Sequence, residues 1–107
     1  MRMKGFPQKV RLMGKTFRLE YVDRVDHAED LAGSCEAHKC LIRIDRNQAD
    51  PALRDTIIHE ATHALWNAIM SDIEDDRLEE RVVLFTTITV RELYRALGRG
   101  FFEGLGE

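Results

Sequence analysis

Residues 59 to 63 read His-Glu-Ala-Thr-His. Histidines four positions apart project from one face of an α-helix, about one turn from each other, so both imidazoles can reach one metal ion. The glutamate directly after the first histidine lies beside that pair, where a metal-bound water would sit. Such a set can do hydrolytic chemistry, with the cation as Lewis acid and Glu60 as general base. By chance alone about one chain in 75 of this composition would carry the pattern, so the flanking residues have to decide.

Those flanks supply a helix from about residue 51 to 70. Asp50-Pro51 marks its start, with Asp50 placed to cap free amides and Pro51 suited to the first helical position. Leu53, Ile57, Ile58, Ala61, Ala64, Leu65, Ala68 and Ile69 then recur at helical spacing and gather into an arc roughly 160° wide. Thr56, His59, Glu60, His63 and Asn67 fall on the other side, with Trp66 at the border. The spacing therefore predicts a core face and a metal face on one helix.

Zinc suits this donor set; it wants a third protein ligand and one position left open for water. The cysteines and the other two histidines lie before the helix and no histidine follows His63, so a carboxylate from the next helix is the expected way to complete the set. After the acidic stretch Ser71 to Asp76, Glu79-Glu80 open a second periodic segment, predicted as a helix over about 76–97. On a helical wheel Glu79 lies nearer the centre of the apolar face formed by Val82, Val83, Val90, Leu93 and Leu97. Glu80 lies at its edge, seven residues before Thr87, whose small side chain would leave room beside a metal. A pair of acids at a helix start also serves the helix dipole, and one of the two can have that role alone.

The run from Asp55 to Trp66, followed about sixteen residues after the second histidine by Glu79-Glu80-Arg81-Val82-Val83, resembles the small zincin-like metallopeptidases of phages and prophages. These are related to the core of the ImmA/IrrE family. The resemblance spans roughly residues 8 to 97 and is specific around the His-Glu-Ala-Thr-His helix and the glutamate pair. It implies a gluzincin-type site: Zn²⁺ on His59, His63 and a downstream glutamate, with Glu60 catalytic. The family register favours Glu80 as that ligand and leaves Glu79 as the alternative. In the family the ligand glutamate is usually followed four residues on by Asn or Asp; here that residue is Leu84 counted from Glu80, or Val83 from Glu79. A partner for a ligand histidine is thereby missing from its usual place.

The remaining residues build the frame. At 107 residues, 44% hydrophobic and 33% charged, the chain suits one small domain spanning residues 1–107, with a β-rich part over about 8–46. Gln8 to Met13 and Thr16 to Val22 alternate apolar and polar around a Gly14-Lys15 turn, as a hairpin does. Asp23 to Ser34 reads as a loop. Cys35 to Ala37 and Cys40 to Asp45 read as a second hairpin around His38-Lys39, with Cys40, Ile42 and Ile44 on one face. The tail over 98–107 carries glycines around Phe101, Phe102 and Leu105, as a loose end or an apolar plug. The expected fold is α+β: a mainly antiparallel sheet of three or four strands packed on the metal helix and a second long helix.

Cys35, His38 and Cys40 form the rival metal cluster, lacking a fourth ligand unless His27 joins it. Two reduced, half-buried strand cysteines are the simpler reading. No apolar run reaches membrane-spanning length, and the basic start lacks the apolar stretch of a secretory signal, so the expected location is the cytoplasm with no membrane partner. A net charge of −3 gives no reason to expect nucleic acid, and Arg81, Arg91, Arg95 and Arg99 read as a solvated helix face.

The expected function is a zinc-dependent peptidase acting on a peptide or protein substrate. Its alternative is a phage-type regulatory or adaptor protein that keeps the zinc and acts by binding a partner. A structural domain without metal is the third possibility. A peptide could lie along Cys40 to Asp45 if that strand is a sheet edge. Tyr94, Tyr21 and His38 are candidates to steady an oxyanion, and Asp45 and Asp55 to orient the histidines. The residues do not specify an oligomeric state.

Overall fold

The computed structural model describes residues 5–25 and 31–105. Strands β1 (Lys9–Leu12) and β2 (Lys15–Val22) form the first hairpin. Its turn is Met13-Gly14, one residue earlier than expected. Both residues take positive φ, 50° and 81°, the pair of left-handed conformations that a two-residue turn needs to match strand twist. Strand β3 (Gly33–Glu36) follows, then a short 3₁₀ turn (Ala37–Lys39) and β4 (Leu41–Asp45). Gly33 and Ser34, expected in the loop, are strand residues, whereas Ala37 and Cys40 are not. Cys40 closes the turn at φ 50°.

The four strands make one mixed sheet in the order β1-β2-β4-β3. Two pairings are antiparallel; β2 and β4 run parallel, with Leu19 opposite Ile42 and Tyr21 opposite Ile44. β4 is therefore a central strand, and among the described residues β3 is an edge. Nearly continuous burial along Leu41, Ile42 and Ile44 is what a strand paired on both sides requires. The expectation that Cys40 to Asp45 offers an edge to a peptide is corrected: that edge belongs to β3.

Helix α1 (Asp50–Ile69) lies across the sheet. Ala49, not Asp50, is its N-cap; Pro51 sits in the first turn and Asp50 contributes only charge there. Phe17, Leu19, Ile42, Ile44, Leu53 and Ala64 form the buried core between sheet and helix. Helix α2 (Asp76–Leu97) packs on α1; Asp75 caps it by accepting from the Leu78 amide at 3.0 Å. Gly98, at φ 84°, ends it, and a five-residue helix α3 (Arg99–Glu103) turns back so that Phe102 stacks on Tyr94. Over residues 98–105 the tail folds back on α2 through the half-buried Phe102 and leaves Phe101 and Leu105 exposed. Among the described residues no helix is long and apolar enough to cross a membrane.

The clean division of α1 into apolar and polar faces does not hold. Ala68 and Ile69 are exposed, while Thr56, Glu60 and Trp66 are buried. The polar face is itself partly covered, by β3 on one side and α2 on the other. On α2 only Val83 and Thr87 are buried; Val90, Leu93 and Leu97, expected in the core, lie at the surface.

Candidate metal centre

Helix periodicity brings His59 and His63 together: their ring centroids are 5.0 Å apart, edge to face. Because α2 runs back along α1 after the short turn at residues 70–75, its first helical turn lands beside them. Glu80 completes the set. One ligand atom from each of His59, His63 and Glu80 lies within 4.8 Å of the others, a group that could hold a metal ion. The Glu80 carboxylate stands 3.3 Å from His63 Nε2 and 3.9 Å from His59 Nε2. Its side chain is 62% exposed, which leaves one side of the cluster open to solvent.

Glu79 has a different task. Its Oε2 accepts a 2.6 Å hydrogen bond from Nδ1–H of His63. That bond selects the tautomer whose Nε2 lone pair faces Glu80 and His59, and it fixes the ring. The two adjacent acids diverge because consecutive helical residues are about 100° apart. Glu79 thus orients the ring of His63 rather than joining the cluster. Asp45 and Asp55 do not serve here: Asp45 accepts from the Asn47 amide, and Asp55 pairs with Arg91 at 2.8 Å. Thr87 is buried and donates to the Val83 carbonyl.

Glu60 is 7% exposed, next to this cluster. Burial, with Glu80 adding and His63 opposing, raises its carboxyl to about 7. A carboxylate so tuned can take and return a proton near neutrality. Burial and the neighbouring His63 lower the pKa of His59, against Glu80, so its imidazole favours the neutral form a cation needs.

The residue that covers Glu60 was not anticipated. A Cβ at Gly33 would lie 2.7 Å from Thr56 Cγ2 and 3.0 Å from Glu60 Cγ, contacts no real Cβ tolerates without movement. Glycine lets edge strand β3 press onto α1 at the general-base candidate. The only sign in the sequence was a glycine two residues before Cys35, indistinguishable from a loop glycine.

The other candidates are not gathered here. Tyr21 donates to the Pro7 carbonyl, Tyr94 stacks on Phe102, and His38 is exposed on the 3₁₀ turn. Cys35 and Cys40 are free, half-buried thiols packed against the core, and burial first, then nearby Glu60, pushes the Cys35 thiol up to about 11. His27 lies outside the described residues. Three of the arginines on the expected stripe have acidic neighbours: Arg91 with Asp55, Arg95 with Glu92, Arg99 with Glu103. Comparison with protein-family models, with curated proteins and with solved structures returns no match.

Proposed function

We propose that this chain is a zinc-dependent peptidase of the zincin type. One observation carries the reading: a buried glutamate adjoins a His-His-Glu cluster that is open on one side. His59, His63 and Glu80 would hold the ion, and Glu79 keeps the His63 ring in place. When bound, zinc supplies Lewis acidity towards a carbonyl and acidifies a water beside Glu60. Glu60 would take the proton of the attacking water and return it to the departing amine. The edge of β3, which runs past Glu60 at Gly33, gives an extended peptide backbone partners to pair with. On this reading the protein works in the cytoplasm, in keeping with two free thiols.

A second reading has the chain hold zinc and act as a phage-type regulator or adaptor by binding a partner. Its support is the openness of the cluster, since Glu80 faces solvent with no second lobe enclosing it among the described residues.

Zinc analysis of the purified protein tests the ground common to both readings: one equivalent is expected, and less than about a tenth would sink both. Glu60→Gln then separates them. For a peptidase the variant keeps zinc and loses cleavage of an unstructured peptide pool by about 10²- to 10⁴-fold. A zinc-loaded wild type that cleaves nothing leaves the binding role.

A further inference from the structure

The first turns of α1 and the last turns of α2, together with Phe6-Pro7, line a cavity of about 670 Å³. That size falls within the ~300–1,000 Å³ of small-molecule sites, and seven of its eleven lining residues are apolar or aromatic. Ile57 and Ile58 are half-buried and make the floor; Arg54 and Arg95 are exposed and make the rim.

Charge on the lining is one-sided. It carries three arginines and one aspartate, in a chain whose net charge is −3. Arg91 is neutralised by Asp55 at 2.8 Å. Arg95 has Glu92, an exposed pair at 3.6 Å that lies outside the lining and holds weakly. Arg54 has no carboxylate partner among the described residues; its guanidinium sits 4.7 Å over the Phe6 ring. An apolar floor with one unanswered cation at its rim suits a ligand with an apolar body and a single negative charge.

Backbone chemistry separates the two kinds of ligand that fit this description. A peptide brings amide groups that need partners. Residues 54–58 and 90–95 lie inside helices, where their N–H groups are already spent, and Pro7 and Pro51 have no N–H to give. An alkyl chain asks for no such partner.

We propose that this cavity binds a fatty carboxylate, with its chain over Ile57, Ile58 and Val90 and its head group against Arg54. The proposal does not rest on the peptidase reading, because neither Glu60 nor any of the cation ligands lines the cavity.

Isothermal titration of the protein with decanoate, below its micelle concentration, tests it. Decanoate is expected to saturate at one equivalent. Decan-1-ol keeps the chain and loses the charge, and should bind about tenfold more weakly. Arg54→Gln should weaken decanoate about tenfold, to the affinity of the alcohol. Val90→Trp fills the cavity and should abolish binding of both, with circular dichroism as the fold control. Val90→Asp, smaller and repelling the head group, repeats the test should the indole variant not fold. No binding of decanoate at millimolar concentration overturns the proposal. So does equal affinity for decan-1-ol, a decanoate affinity unmoved by Arg54→Gln, or binding that survives the Val90 variants. A peptide ending in a free leucine that binds more tightly than decanoate overturns it too, and gives the cavity to a protein chain.

Discussion

Helices α1 and α2 have similar lengths and opposite habits. Helix α1 buries a glutamate and a threonine; α2 leaves leucines and a phenylalanine in solvent. The difference lies in what surrounds each one. The sheet and α2 flank α1, so Thr56 and Glu60 on its polar side are withdrawn from water, and that raises the Glu60 pKa. Helix α2 is held from one side. Burial here follows from position in the layers, not from side-chain polarity, and the candidate site falls on the helix in the middle.

The largest test of this contrast is at the ligands. Glu80→Ala should weaken zinc binding about a thousandfold, whereas Glu79→Ala, which only frees the His63 ring, should cost about 10- to 100-fold. Competition with a chromophoric chelator measures both, and equal losses would mean that the two acids do not divide the work. Next comes packing. Leu53→Ala, at a fully buried position of α1, should destabilise the fold by about 2–5 kcal/mol. Phe85→Ala on α2, where the ring is 70% exposed, should stay within about 0.5 kcal/mol. Urea denaturation reads the pair; a costly Phe85 variant would mean that α2 has a hidden partner within the chain.

A finer test concerns the cover over α1. Gly33→Ala has to move β3, Thr56 or Glu60, so peptide cleavage should fall about 10- to 100-fold with zinc content unchanged. Ser34→Ala, on the far face of the same strand, should leave the rate alone. The smallest effect is in pH. Between its ordinary 4.5 and about 7, Glu60 holds a proton in the folded chain that the unfolded chain has released. In the metal-free protein this group's contribution is therefore full at low pH and is lost as pH rises through that window. Comparing metal-free wild type with Glu60→Gln isolates it: the difference in unfolding free energy should slope across pH 4.5–7, and a flat difference would mean that Glu60 is solvated.

Local rules carried much of this into view beforehand. The four-residue spacing of His59 and His63 and the Pro51 start are properties of single helices, and both long helices fall within a residue of their expected limits. The choice between Glu79 and Glu80 needed the angle at which α2 returns along α1, which no wheel drawn for one helix contains. Strand order was likewise out of reach. The parallel pairing of β2 with β4 joins segments separated by the whole β3 turn, and it alone makes β3 the edge. Once β3 lies over α1, the burial of Thr56 and Glu60 and the need for glycine at position 33 follow.

Trp66 offers a practical return on this geometry. It is the one indole in the chain, buried three residues beyond His63, and it lines the same surface depression as Glu79. Its emission is accordingly a built-in gauge of the centre, so that titrating the native protein with a cation in a fluorimeter needs neither a label nor a known substrate.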